Sequence, residues 1–358
     1  MKRLRPLWDD VTSFDNLLKA AKVTLGQGRR YRSEGARFQF YLEHHVVYLQ
    51  EQLRNRSYQH GRYRGFTVYE PKERLILAAP IRDRIVHHAV HDVVAPLVDH
   101  GFIFDSYACR KGKGTHRALD RAQKFMQSND FFLHLDVRKF FPSIPLDRLK
   151  EVLRRRVREE PLLWLFDLII DSSVSQRTGK RSQQQELFPQ NTEDRGLPIG
   201  NLTSQFLANL YLNELDQWVK HTLKCRCYIR YMDDFVLFGN DRQELGRLLV
   251  LVRNFCKERL GLSLHEKGGI KRYDEGLGFL GFRIFRTHRR LKGPALKRFL
   301  RRARARLKEC QGGVLSPNSF NDGIKAWRAH VRYGDTYHLV LHLQERYPMI
   351  MTERRKDA

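Results

Sequence analysis

Three acids in this chain stand where local sequence gives charge little reason to be. Asp233 and Asp234 interrupt Cys227-Tyr-Ile-Arg-Tyr-Met-Asp-Asp-Phe-Val-Leu-Phe-Gly239, a run that reads as two short strands joined at the acids. Most Asp-Asp pairs are solvated turns. Here, though, adjacent carboxylates repel one another among apolar strands, and bound cations would offset that cost. The third acid, Asp136, closes the apolar run Phe131-Phe-Leu-His-Leu-Asp136, which turns at once through Val-Arg-Lys-Phe-Phe-Pro-Ser-Ile144. A set of carboxylate oxygens favours Mg²⁺ over zinc. Two such ions about 3.5–4 Å apart activate an attacking hydroxyl and stabilise a leaving oxygen in phosphoryl transfer. The chemistry implied is nucleotidyl transfer.

Strands must carry these acids, and the period of the apolar residues changes where strands begin and end. Residues 10–60 are amphipathic and helical, with Phe14, Leu17, Leu18, Val23, Phe38, Tyr41, Leu42, Val46, Tyr48 and Leu49 at helical spacing. Residues 62–80 change to a hairpin with Pro71-Lys-Glu-Arg74 at its turn. Helices are expected over 82–97 and 115–129. Residues 171–195, rich in Gln, Ser and Thr, read as an exposed insertion. Residues 286–310 carry eleven Lys or Arg against the single acid Glu309, with Leu296, Phe299, Leu300 and Leu307 as a thin packing stripe. The segment 319–347 is again helical, with Trp327, Tyr333 and Tyr337 available for packing or stacking.

Charge bounds the partner. The 358 residues include 66 Lys and Arg against 40 acids, a formal net charge of +26. Such an excess favours a polyanion, nucleic acid first and an anionic membrane second. No apolar run is long enough to span a bilayer, and Met1-Lys-Arg-Leu-Arg-Pro lacks a signal-peptide core, so the expectation is a cytoplasmic protein with no membrane partner. Five unpaired-looking cysteines, 109, 225, 227, 256 and 310, fit a reducing compartment. Cys225 and Cys227 read as buried or half-buried thiols, and His87 and His91 as helix-surface histidines. The loop Ser106-Tyr-Ala-Cys-Arg-Lys-Gly-Lys-Gly-Thr115 offers Arg110, Lys111 and Lys113 to a phosphate backbone, or is simply solvated.

In chain order, Asp136 with its aromatic sequel, Gly196-Leu-Pro-Ile-Gly-Asn-Leu-Thr-Ser-Gln205, Tyr231-Met-Asp-Asp234 and Gly278-Phe-Leu-Gly-Phe282 match reverse transcriptase motifs. Across roughly residues 60–350 the chain resembles the bacterial, group II intron-like reverse transcriptases. Ile199-Gly-x-x-x-Ser-Gln205 is similar to their diversity-generating retroelement branch, where other relatives carry Gln-Gly-x-x-x-Ser-Pro. The resemblance implies an α+β right-hand polymerase fold with an antiparallel palm sheet and a helical thumb. It divides the chain into an N-terminal helical extension (1–60), fingers (61–130, with 137–200 shared between palm and fingers), palm (131–285) and basic thumb (286–358).

The roles it implies can be placed residue by residue. Asp136, Asp233 and the Val137 carbonyl would ligate two Mg²⁺ ions, with Asp234 beside them and more weakly involved. Lys72 and Arg74 would grip the incoming dNTP, and Phe141 would exclude a 2′-hydroxyl. Ile199 and Gln205 would border the nascent pair, and Lys267 would protonate pyrophosphate. Gly278, Phe279, Leu280 and Gly281 would form the primer grip, while Arg298, Arg301 and Arg302 of the thumb would meet the nucleic-acid backbone.

Ile199 cannot make the hydrogen bond a glutamine would, and losing one such contact, about 1 kcal/mol, relaxes base discrimination several-fold. The resemblance implies an enzyme that copies template RNA into cDNA with frequent errors at adenines. By the same resemblance it would work with a small basic accessory protein, and no RNase H or endonuclease segment is expected after the thumb. An intron-like or phage-defence reverse transcriptase is the alternative, and an inactive RNA-binding protein the more distant one.

Overall fold

The computed structural model describes residues 4–26, 28–31, 33–69, 73–178, 194–266 and 268–351. Its centre is a four-stranded antiparallel sheet in the order β4-β5-β3-β6, built from β3 (Phe131–Asp136), β4 (Tyr228–Tyr231), β5 (Asp234–Gly239) and β6 (Ile270–Arg272). Alternation along β3 explains why this sheet forms and what it presents. Leu133 and Leu135 enter the main core, whereas Phe132 faces the opposite way into a second core with Val236 and Phe238. That second face changes character toward one end. Phe132 is paired with Phe238, His134 with Val236, and Asp136 with Asp234, so the apolar face ends in acids.

Helices Ile81–Asp99 and Leu202–Gln217 pack behind the sheet, and Thr115–Ser128 covers the second core. The expected hairpin at 62–80 is present as β1 (Arg64–Val68) and β2 (Arg74–Ala78). This ribbon is pinned to the loop before Leu202–Gln217: the Leu77 N–H donates to the Ile199 carbonyl at 3.0 Å, and Asn201 Nδ2 donates to the Leu77 carbonyl at 3.1 Å. Gly200, at φ +112°, leaves room for Ile76, whose Cγ2 would lie 2.7 Å from any Cβ there.

A three-stranded sheet, β7 (Leu277–Phe279), β8 (Phe282–Ile284) and β9 (Arg289–Leu291), leads to the helices Gly293–Gln311, Pro317–Val331 and Tyr337–Arg346. These helices have their own core, where Phe299 and Trp327 stack at 3.7 Å. The basic run at 286–310 divides between β9 and helix Gly293–Gln311. Arg286 is a tether to Asp130 and the Met126 carbonyl, and Arg289 is paired with Asp120 at 2.7 Å.

Several expectations change. In the N-terminal helices Leu17, Val46 and Leu49 are buried, but Val23, Tyr41 and Tyr48 face outward. The polar stretch from residue 171 continues a helix, Glu160–Thr178, and Ser172 is buried beneath Tyr63; residues 179–193 lie outside the described residues. His87 is not on a helix surface. It is buried beside His60 with neither ring nitrogen hydrogen-bonded, and burial lowers its pKa to about 3. Cys225 is buried and Cys227 half-buried, as expected.

Candidate active site

The acid-tipped strands meet at one edge. Asp136 ends β3 directly opposite Asp234 of β5, and Asp233 occupies the turn between β4 and β5. Met232, at φ 57°, gives that turn its left-handed step. The Val137 N–H donates to the Asp233 carbonyl at 3.3 Å, which ties the turn to the end of β3. Burial and then repulsion from Asp136 raise the Asp233 pKa to about 6, with Arg74 of the ribbon pulling the other way. Asp233 thus senses both the neighbouring acid and the fingers cation.

Asp234 has a different partner. Its Oδ1 meets His134 Nε2, and the His134 ring abuts Phe279 edge-on at 6.3 Å. Asp136 has His265 Nε2 at 3.8 Å. Among the described residues no three Asp, Glu, His or Cys side chains converge as a ready-made metal cage. The donor chemistry nonetheless fits hard divalent cations: two carboxylates close enough to repel one another, with Asp233 half-buried.

What fixes this edge from behind was not foreseen. Arg230, between Ile229 and Tyr231, is fully buried. Its Nε and Nη2 donate to the two Asp216 carboxylate oxygens at 2.7 and 2.6 Å, and Tyr228 donates its hydroxyl to the same group at 2.8 Å. The remaining Nη1 donates to Asn209 at 2.9 Å and to the Met232 carbonyl at 3.0 Å. A guanidinium therefore holds the turn residue next to Asp233 in place.

The other expected site residues divide. Arg74 lies close enough to act on Asp233. Phe140 is buried, leaving Phe141 half-exposed beside it at 5.4 Å between ring centres. Ile199 is half-buried at the foot of the ribbon. Gln205 accepts a weak bond from the Cys109 thiol and lines a cleft of about 190 Å³ with His91, Asp99 and Phe206. Gly278 lies in β7, and Leu280 and Gly281 form the left-handed turn to β8 at φ 46° and 89°. Phe279 is a core residue and offers no surface to a primer.

Arg110 is likewise corrected. It is nearly buried and bound to Asp99 and to the carbonyls of Ile103 and Ser106. Lys113 lies on the Phe104 ring and donates to that residue's carbonyl, which leaves Lys111 as the exposed cation of the three. Arg298 is half-buried and Arg301 and Arg302 are exposed on the first thumb helix. Lys72 and Lys267 lie outside the described residues.

A family model described as reverse transcriptase (RNA-dependent DNA polymerase) matches residues 69–284. The chain belongs to this family. Among similar proteins of known sequence, a putative COX1/OXI3 intron 2 protein of Saccharomyces cerevisiae is 20% identical over 259 residues, 57% of this chain but 29% of that protein. An uncharacterised 91 kDa protein in a Schizosaccharomyces pombe cob intron is 24% identical over 45% of this chain and 18% of its own length. Protein YkfC of Escherichia coli is 25% identical over 62% of this chain and 67% of that one. This chain thus spans less than a third of the two fungal intron proteins. Apo telomerase from Candida tropicalis shares the fold, with TM-score 0.51 at 11% identity over 82% of this chain and 60% of that one. No helix among the described residues is long and apolar enough to cross a membrane.

Proposed function

We propose that this reverse transcriptase extends a primer 3′-hydroxyl along an RNA template with dNTPs. The observation that carries the reading is the meeting of Asp136 and Asp233 at one strand edge with Arg74 of the fingers ribbon acting on them. Asp136, Asp233 and the Val137 carbonyl are the ligands assigned to two Mg²⁺ ions, with Asp234 adjacent. Bound there, the ions would activate the primer hydroxyl and stabilise the leaving pyrophosphate oxygen. Arg74, with Lys72, orients the triphosphate, and Phe141 narrows the space beneath the sugar. Lys267 is the candidate proton donor to pyrophosphate. Lys111, Arg298, Arg301 and Arg302 meet the nucleic-acid backbone, where each contact adds salt-dependent affinity.

Within the family, Ile199 to Gln205 favours a mutagenic, diversity-generating retroelement enzyme working in the cytoplasm with a small basic accessory protein. The intron-encoded relatives favour the second reading, an intron-like enzyme. Primer extension on an RNA template with Mg²⁺ and dNTPs, followed by cDNA sequencing, separates them. Extension lost in Asp233→Asn, with errors concentrated opposite adenines and reduced by Ile199→Gln, supports the first reading. Accurate extension supports the second. No extension, even with the flanking RNA and accessory protein added, overturns both.

A further inference from the structure

A cation at the base of the thumb has no role in the chemistry assigned so far. Lys292 is the N-cap residue of helix Gly293–Gln311, and its N–H donates to the Gly281 carbonyl at 3.0 Å. The turn of the β7–β8 hairpin thus fixes where this side chain starts. From there it runs back over β7. A Cβ on Gly278 would lie 2.8 Å from Lys292 Nζ and 2.9 Å from its Cε. Gly278 is an ordinary strand residue, so its lack of a side chain matters for the room it gives the lysine and not for backbone freedom.

Among the described residues the Lys292 ammonium is in no hydrogen bond or ion pair, though the residue is half-buried. Burial pushes its pKa below the ordinary lysine value, Asp234 draws it back up, and Arg283 lowers it again. The nearby Asp234 carboxylate is already engaged by His134. A half-buried ammonium lacking a partner is costly, and an arriving anion would relieve that cost. Arg283, paired across from Gly278, adds a second positive charge on the same hairpin. One side of this small region is therefore cationic, and the other carries the acids of the catalytic edge. A ligand that fills it must turn an anionic group toward Lys292 and a different group toward Asp136 and Asp233. The end of a primer does both, with its last phosphodiester on one side and its 3′-hydroxyl on the other.

We propose that Lys292 holds the phosphodiester of the primer's last internucleotide linkage and thereby sets the 3′-hydroxyl at the acid edge. The assignment rests on the polymerase reading above. It makes Gly278 a spacer for the lysine, and it makes the first thumb helix a part of substrate positioning through its cap residue.

The test uses the full chain with a DNA primer annealed to RNA, carrying a neutral methylphosphonate either at the last linkage or several linkages upstream. For the wild type, neutralising the last linkage lowers kcat/KM for the primer about tenfold, the equivalent of one charge-assisted contact, and does so more than neutralising the upstream one. Lys292→Ala loses the same tenfold on the natural primer and nothing further on the neutral one. Gly278→Ala behaves likewise, because its Cβ displaces the ammonium, and Lys292→Arg recovers most of the activity. Melting curves show whether each variant is folded, and the wild-type comparison needs no variant. A wild type indifferent to the last linkage overturns the assignment, as does equal sensitivity in wild type and Lys292→Ala. A Lys292→Ala defect confined to the dNTP KM moves the lysine to the nucleotide and also overturns it. A wild type that extends neither primer overturns the polymerase reading together with this one, whereas extension without linkage sensitivity overturns the lysine alone.

Discussion

Two charge clusters sit back to back at the Met232 turn, and they are built in opposite ways. Behind it, Asp216 and Arg230 are fully buried and matched, with Tyr228, Asn209 and the Met232 carbonyl taking up the remaining bonds. In front of it, Asp136 and Asp233 repel one another, and the Asp233 pKa rises to about 6. The rear cluster is complete without a ligand. The front cluster is held in a state that a cation improves. The rear pair is fully buried and Asp233 half-buried, but what separates the clusters is whether the fold supplies the opposite charge. A fold that matched Asp233 as it matches Asp216 would leave nothing for a metal to do.

The largest effect expected from breaking this contrast is at the front. Asp233→Asn should lower primer extension more than about 10³-fold, because it removes a carboxylate from the edge proposed to hold the metal ions. The same change should stabilise the protein without metal. A carboxyl whose folded pKa is raised carries no penalty below its unfolded value of 3.8. It becomes destabilising as pH rises toward about 6 and stays so above. Asparagine avoids that penalty, so the gain should appear above pH 6, on the order of 1–3 kcal/mol, and vanish near pH 4. Melting in EDTA at pH 4 and pH 8 checks it. Equal melting shifts at both pH values would mean the raised pKa does not govern stability.

At the rear the sign reverses. Arg230→Met leaves Asp216 buried and unpaired and should destabilise the protein by about 3–5 kcal/mol. The double change Arg230→Met with Asp216→Leu should recover much of that, because two apolar side chains need no partner. Activity should not recover with it, since the Met232 carbonyl then has no guanidinium to fix the turn. Urea unfolding and primer extension on the same samples separate the two. If the double variant regained both, Arg230 would serve stability only.

Much of the front cluster was legible in the sequence because period-two strands end abruptly on acids. The apolar runs before Asp136 and around Asp233 allow few other readings. His134 carried a signal that went unused: two residues before Asp136 on one strand, it must share that acid's face. The rear cluster was hidden. An arginine inside Tyr-Ile-Arg-Tyr looks like an outward-facing strand residue, and its partner Asp216 lies on a helix whose sequence marks no inward polar position. Arg110 failed in the other direction. A basic loop looks the same in sequence whether its guanidinium meets solvent or, as here, the Asp99 carboxylate and two carbonyls. Lys292 was lost within a run of eleven basic residues, where only the turn at Gly281 distinguishes it.

Arg74 ranks next in size. It is the ribbon cation that partly offsets the rise in the Asp233 pKa, and Arg74→Ala should raise the dNTP KM about tenfold with a smaller change in primer affinity. A primer defect without a dNTP defect would remove it from the triphosphate role.

The smallest effect comes from a group in which burial comes first and repulsion from His60, His88 and Arg84 follows. His87 is buried against His60 with both nitrogens unbonded, and burial is the first cause of its pKa of about 3. A histidine with a depressed folded pKa contributes stability that is present above its unfolded value of 6.5 and is lost as pH falls toward 3. The unfolded chain takes up a proton there that the folded chain refuses. His87→Leu should therefore flatten the fall in stability between pH 6.5 and 4 while leaving primer extension at pH 8 unchanged. At the Asp233 edge, folding raises proton affinity through that range, so the two residues oppose one another as the medium is acidified. Melting the single and double variants across pH 4–8 separates them: additive shifts would mean that His87 and the acid edge titrate independently, and non-additive ones that the two are coupled.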